Sequence, residues 1–162
     1  MNKFQHVLFI AGCGLMVFVS GCEPAKSNRF AAMRNLVIQG KYDQAVGSLQ
    51  DYVSQSPAEP NASRAGLFLF KAYFAKGNFD AAKKWCDWTI ANHPTSLEAQ
   101  KCEFKIGLIL LVRNQSQQAI KHFRKIAASE SPLRPEATSM VNYLKTEQNA
   151  NEKAPVGGVD PQ

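Results

Sequence analysis

The sequence predicts an all-α solenoid in which pairs of helices stack along the chain. The first observation is a repeat: the segment 77–82 (GNFDAA) has counterparts 37 residues away at 40–45 (GKYDQA) and 114–119 (NQSQQA). A fixed period of this length indicates stacked units, none of which can bury its apolar face alone. The second observation is that apolar residues recur at helical spacing between these turns. The third is that Pro57, Pro94 and Pro132 close the three units.

The first 21 residues are predicted to be a cleaved export signal. Lys3 precedes an apolar run over 7–19, which is shorter than the roughly 20 residues that a membrane-spanning helix needs. Small residues then lead into Cys22, and this pattern resembles the bacterial lipobox, in which the cysteine receives a lipid. The alternative is a plain secretory signal with an unmodified cysteine. Because Glu23 rather than Asp follows, the resemblance implies an anchor at the periplasmic face of the outer membrane.

The charge of the chain is basic, with 19 Lys and Arg against 13 Asp and Glu, a net charge of +6. Such a surplus often indicates nucleic acid as the partner. A protein exported to the periplasm rarely meets chromosomal DNA, so we expect no nucleic-acid partner. Acidic proteins, lipid headgroups or envelope polymers fit the charge better.

After a tether predicted at 22–28, the repeat domain is expected over 29–145, in units at about 29–57, 62–94 and 96–131. In the first unit a helix starts at Arg29 and stops at Gly40, a residue that readily adopts the left-handed conformation after a helix. The second helix starts at Tyr42, with Ala45 and Leu49 on its apolar side. We expect Pro57 to end it.

The second unit has a helix over 62–75 that is apolar around most of its circumference, which suits a central element covered on both sides. Gly77 ends that helix, and its partner spans 79–92. In the third unit Asn114 replaces the glycine, and Asn is the next most suitable residue at a left-handed cap. A capping helix is predicted over 135–145, followed by a disordered tail over 146–162 rich in polar residues, Pro and Gly.

The second helix of each unit resembles that of the tetratricopeptide repeat. Ala45, Ala82 and Ala119 are each followed by core partners four and seven positions later. Gly and an aromatic residue precede the Ala in the first two units, and Pro follows it about twelve residues later. The period is 37 rather than the usual 34, and long turns between units are familiar from the envelope members BamD and CpoB (YbgF). The resemblance implies a right-handed solenoid of three helix pairs plus a C-terminal capping helix.

In this family the first helix of each pair lines the concave surface. Basic and aromatic residues interleaved there suit an extended peptide with acidic groups or a free carboxylate. The alternative is an ordinary solvated face above core aromatics. The expected groove residues are Arg34, Arg64, Phe68, Lys71, Lys101, Phe104 and Lys105, with Phe30 in the same row.

Cys86 and Cys102 are the thiols that remain once Cys13 is cleaved off and Cys22 is acylated. Each is eight residues from Pro94, so they lie at a similar height on the two helices that flank this turn. In an oxidising compartment such a pair is a candidate disulfide. The alternative is two small buried residues, because Cys packs well in cores.

Trp85 and Trp88 share one helix face and are candidates for an exposed interface, the alternative being packing against a turn or the next unit. No set of three or four metal ligands, phosphate loop or nucleophile motif stands out. His93 and His122 are expected to be solvated. The sequence therefore predicts no enzyme, no metal, no cofactor and no small-molecule substrate.

We expect a non-enzymatic adaptor lipoprotein that binds an envelope protein or peptide segment and is held to the membrane by its lipid. Its machinery would be outer-membrane assembly, secretion or pilus assembly, or cell-wall synthesis. The alternative is a glycan- or wall-binding accessory of a polysaccharide export or hydrolase system. A peptide would engage the basic groove, whereas a glycan would stack on Trp85 and Trp88.

Overall fold

A computed structural model describes residues 26–153, with side chains from Arg29 to Ala150. Within this part there are seven helices and no strand, which confirms the predicted all-α solenoid. None of these helices is both long and apolar enough to cross a membrane. The predicted leader, the predicted lipid acceptor Cys22 and residues 154–162 lie outside the described residues. The helices are α1 (Lys26–Ile38), α2 (Tyr42–Gln55), α3 (Pro60–Ala75), α4 (Phe79–Asn92), α5 (Leu97–Val112), α6 (Ser116–Ala127) and α7 (Arg134–Lys153).

The first and last helices are longer than the sequence suggested. Helix α1 begins at Lys26, inside the segment predicted as a tether, and α7 continues to Lys153, eight residues beyond its predicted end. Residues 146–153 were expected to be disordered because they are polar. They contain neither Gly nor Pro, so nothing in the backbone stops the helix there. A polar composition alone does not end a helix.

The 37-residue period sets where the helices begin. Helices α2, α4 and α6 start at Tyr42, Phe79 and Ser116, and helices α3, α5 and α7 start at Pro60, Leu97 and Arg134. The capping helix α7 is therefore in register with α3 and α5. It corresponds to the first helix of a fourth unit.

A left-handed residue ends the first helix of each unit, as the sequence predicted. The φ angles are 74° at Gly40, 73° at Gly77 and 59° at Asn114. In each turn the following N–H donates to a carbonyl five residues earlier, as in a Schellman motif. These bonds run from Lys41 N to Leu36 O at 2.9 Å, from Asn78 N to Tyr73 O at 2.9 Å, and from Gln115 N to Leu110 O at 2.8 Å.

The helices form two layers. Helices α1, α3 and α5 contact one another in sequence, and each even-numbered helix packs between its two chain neighbours. Ala45, Ala82 and Ala119 are fully buried where paired helices meet. Glycines bring two of these pairs still closer: a Cβ at Gly66 would lie 2.1 Å from Thr89 Oγ1, and one at Gly107 would lie 2.4 Å from Phe123 Cζ.

The buried side chains form three successive clusters along the array. The first joins α1, α2 and α3 around Phe30 and Leu49, and the second joins α3, α4 and α5 around Phe70 and Cys86. The third joins α6 to α7, where Phe123 is fully buried. Helix α7 thus covers the apolar face that α6 would otherwise expose.

Candidate functional site

A cleft of about 340 Å³ lies between α3, α5 and the start of α7. Its walls are mainly apolar, and basic side chains stand around them. A small apolar recess with a few charged groups is the usual character of a binding site. The lining residues are Leu67, Lys71, Lys101, Phe104, Lys105, Leu133 and Glu136.

The cleft exists because α7 departs from the packing of the earlier units. Helix α3 contacts α1, and α5 contacts α3, whereas α7 packs mainly against α6 and makes no comparable contact with α5. Leu67 of α3 and Phe104 of α5 occupy equivalent positions 37 residues apart. Leu133, in the turn before α7, contributes the remaining apolar wall. The repeat therefore supplies one side of the cleft and the displaced α7 the other.

The charge of the cleft is predominantly positive, with three Lys ammonium groups and one carboxylate, that of Glu136. Lys71 is exposed, and its Nζ lies 5.2 Å from the centroid of the Phe68 ring. Lys101 and Lys105 are partly buried, which is the arrangement of lysines whose methylene stems line apolar surface while the ammonium stays in water. Such a site attracts a carboxylate carried on an apolar segment.

A row of cations over aromatic rings extends from this cleft toward α1. The Arg64 guanidinium lies 5.5 Å from the centroid of the Phe30 ring, and the Phe30 and Phe68 centroids are 6.0 Å apart. Lys71 then stands over Phe68. Cations over ring faces are attracted to the π electrons, so the aromatic row holds Arg64 and Lys71 on the same surface as the cleft.

An open groove continues the cleft along α7. It has a volume of about 590 Å³ and shares Phe104 and Glu136 with the first cleft, so the two are contiguous. Tyr143 is 58% exposed and donates a hydrogen bond to Glu147, which raises the pKa of the phenol. The groove is lined by Phe104, Pro135, Glu136, Ser139, Met140 and Tyr143.

The structure brings four of the predicted groove residues into one cleft: Lys71, Lys101, Phe104 and Lys105. The other three do not line it. Arg64 and Phe68 belong to the aromatic row beside it, and Arg34 is exposed on α1. Phe30 was expected on the groove surface. It is instead 5% exposed within the first core cluster, because the ring packs under Arg64 and against Tyr52.

Trp85 and Trp88 are partly buried rather than exposed, which favours the packing alternative over an exposed interface. Both rings are partly buried against the first core cluster, with centroids 5.7 Å apart. Trp88 also packs at 5.5 Å against His93 in the following turn. This face of α4 therefore packs against the first core cluster rather than facing solvent alone.

The two histidines are also less solvated than expected. His93 is partly buried beside Trp88, and His122 is partly buried with its Nε2 2.7 Å from the carbonyl oxygen of Glu103. In residues 26–153 no three His, Cys, Asp or Glu side chains lie together as a metal site would require. The absence of a metal or cofactor stays a prediction.

Sequence reasoning missed Leu67, Leu133, Glu136, Met140 and Tyr143. Leu67 could have been predicted as a groove residue, because it lies 37 residues after Phe30 and 37 residues before Phe104. The other four have no such signal. They belong to the turn before α7 and to α7 itself, whose placement depends on packing rather than on the repeat.

Cys86 and Cys102 are free thiols, both fully buried in the second cluster. A hydrogen bond to the Cys102 side chain, burial and the nearby Asp87 carboxylate raise the pKa of the Cys86 thiol. The structure thus places the two sulfur-bearing side chains in the same buried cluster. Their disulfide stays a prediction.

Comparison with known proteins agrees with the fold. The sequence profile of the tetratricopeptide repeat matches residues 36–101. Two structures of the type III secretion translocator chaperone SycD of Yersinia enterocolitica, one in complex with a peptide of the translocator YopD, are similar with a TM-score of 0.61 and 17% identity. These matches cover 76% of this chain and 94% (peptide complex) or 85% of the chaperone.

A Podospora anserina putative kinesin light chain with nearly identical tetratricopeptide-like repeats has a TM-score of 0.57 at 16% identity, covering 79% of this chain and 68% of its own. No curated protein matches the chain. The described part of the chain is therefore a tetratricopeptide-like solenoid, a fold compatible with a protein-binding adaptor.

Proposed function

We propose that the chain is a non-enzymatic adaptor that binds an acidic, partly apolar peptide segment of a partner protein in the cleft between α3, α5 and α7. The observation that carries the proposal is the gathering of Lys71, Lys101 and Lys105 around walls formed by Leu67, Phe104 and Leu133. Ammonium groups beside apolar walls recognise a carboxylate and an apolar side chain together. A protein of similar fold in complex with a peptide of another protein supports the mode of binding.

The contiguous groove along α7 lengthens the binding surface. An extended peptide advances by about 3.3 Å per residue, so several residues are needed to run from the lysines to Tyr143. We propose that the acidic end of the segment lies among the lysines. An apolar or aromatic residue then packs against Met140 and Tyr143.

We further propose that the adaptor acts in envelope assembly, anchored by a lipid on Cys22 at the periplasmic face of the bacterial outer membrane. This part rests on the leader and the lipobox-like residues that precede Cys22. Stable anchoring takes more than one acyl chain. The glycan-binding alternative relied on exposed Trp85 and Trp88, and the partial burial of both rings weakens that support.

The binding site is tested by site-specific photocrosslinking from Leu67 in membranes, followed by mapping of the attached partner segment. A synthetic peptide of that segment is then titrated against wild type and against Lys71→Glu/Lys101→Glu. Removing a charge-assisted hydrogen bond costs about 1.5–3 kcal/mol, so we expect affinity to fall by about tenfold or more. Replacing the acidic residues of the peptide by amides should have a similar effect.

The matched control is Lys84→Glu/Lys121→Glu, which changes the net charge equally at exposed sites on α4 and α6. It should leave affinity within about twofold of wild type, since exposed charges far from the ligand are screened. Equal loss of affinity in both variants would indicate a general charge effect and exclude the cleft as the binding site. Exclusive crosslinking to wall polymer would favour a glycan over a protein as the ligand.

The anchor is tested with Cys22→Ser. Metabolic labelling with an alkyne fatty acid should mark wild type alone, and the variant should leave the membrane fraction. A variant that is labelled like wild type would remove Cys22 as the lipid acceptor, and a wild type without label would remove the lipid itself. Neither result would affect the cleft.

A further inference from the structure

Cys86 and Cys102 form a pair that the binding function does not use. Cys86 is on α4 and Cys102 on α5, and both are 0% exposed. Both side chains lie inside one buried cluster whose other buried members are Phe70, Ala82 and Ile109, and the Cys102 side chain is near enough to raise the pKa of the Cys86 thiol. Residues 26–153 contain no other cysteine, so no third thiol in this part of the chain competes for a disulfide with either of them.

The position of the pair is independent of the cleft. Neither cysteine lines it. Helix α4 belongs to the second unit and α5 to the third, so a covalent link between them would join adjacent units. In a solenoid each unit is stabilised chiefly by its neighbours. A covalent link between α4 and α5 would therefore strengthen the interface between the second and third units.

We propose that Cys86 and Cys102 are a dithiol–disulfide site, whose oxidised form covalently joins the second and third units. The two helices are antiparallel neighbours around the turn at Pro94, and both side chains lie in the same buried cluster. The sulfur atoms must approach to about 2.05 Å for the bond to form.

The oxidant is a disulfide donor, and the exchange is balanced. One thiolate attacks a sulfur of the donor, releasing the first donor thiol and leaving a mixed disulfide. The second cysteine then attacks its neighbour's sulfur and releases the second donor thiol. The two cysteines lose two electrons and two protons in all, and the donor disulfide takes them up to become two thiols.

Burial determines when the bond forms. A thiol inside apolar surroundings is unreactive because the thiolate is the attacking species, and both sulfur atoms are closed to solvent in the folded state. We therefore expect oxidation during folding, before α5 closes over α4. The bond should then resist reduction until the protein is unfolded.

The test uses the full chain with Cys13→Ser and Cys22→Ser, so that only this pair carries thiols. The reduced, unfolded protein is refolded with oxidised glutathione and digested with trypsin. Cleavage after Lys84, Lys101 and Lys105 places Cys86 in peptide 85–101 and Cys102 in peptide 102–105. A linked pair of these two peptides, lighter by two hydrogen atoms than their sum, is expected.

A second measurement needs no further variant. The oxidised protein should melt at a higher temperature than the same protein after reduction, since a crosslink restricts the unfolded chain. Unlinked peptides, glutathione adducts on either cysteine, or linkage only between different molecules would overturn the proposal. Equal melting temperatures of the oxidised and reduced forms would remove the stabilising role. None of these results would bear on peptide binding in the cleft.

Discussion

Arg113 Nη2 donates to Asp80 Oδ1 at 2.6 Å, joining the end of α5 to the start of α4. The same ion pair occurs one unit earlier between Lys76 and Asp43. Both acids and both bases are separated by the 37-residue period, so the contact belongs to the repeat. In the third unit Gln117 stands 37 residues after Asp80. The equivalent ion pair between α6 and α7 therefore lacks its acid.

A double-mutant cycle on Arg113→Ala and Asp80→Ala should give a small coupling energy of about 0.5 kcal/mol in urea unfolding. The Asp80 side chain is 90% exposed, and exposed pairs contribute little because water and salt screen them. The coupling should fall further in about 1 M salt. A coupling well above 1 kcal/mol that does not respond to salt would contradict a screened surface pair.

Ala82→Leu should lower the free energy of unfolding by about 1–3 kcal/mol, because the added methyl groups have no room between α3 and α4. Ala82 is fully buried. The control is Ala91→Leu on the same helix, where the residue is exposed and the change should be almost neutral. Chemical denaturation of both variants checks this, and equal stability of the two would exclude the tight helix contact at Ala82.

Gly66→Ala should destabilise the protein, although alanine favours helix more than glycine does. The new Cβ would lie 2.1 Å from Thr89 Oγ1, and that hydroxyl is held by donating to the Trp85 carbonyl at 2.8 Å. We expect a loss of about 1–3 kcal/mol in stability.

The matched change Gly47→Ala on α2 meets no atom within 4 Å. It should stabilise by about 1 kcal/mol through helix propensity alone. Opposite signs for the two variants in thermal melts are the expected outcome. Stabilisation by both would show that α3 and α4 are not in close contact at Gly66.

Asn114→Gly should be neutral or slightly stabilising, whereas Asn114→Ala should cost about 1 kcal/mol. Asn114 has a φ of 59°, and a side chain without Asn's local hydrogen bonding is disfavoured in this left-handed conformation. Gln115→Ala, at the next exposed position, serves as the control and should be nearly silent. Urea midpoints that rank Ala equal to Gly at position 114 would argue against the left-handed turn.

The helices and their period follow from local sequence alone. Gly40, Gly77 and Asn114 mark turns because the backbone there must take positive φ, and the alanines mark close contacts because larger side chains do not fit. These are local requirements, repeated every 37 residues, so they can be detected without a structure. The end of α7 was mispredicted because no Gly or Pro marks it, and polarity was used in their place.

Which faces are open depends instead on tertiary packing. Trp85 and Trp88 were candidates for an exposed interface, yet both rings are partly buried against the first core cluster, because helix phase relative to neighbours is a property of packing. Lys71, Lys101 and Lys105 were identifiable from the repeat, whereas the cleft that unites them depends on α7 packing mainly against α6 rather than against α5. That displacement depends on which faces of α6 and α7 pack together. No local pattern encodes it.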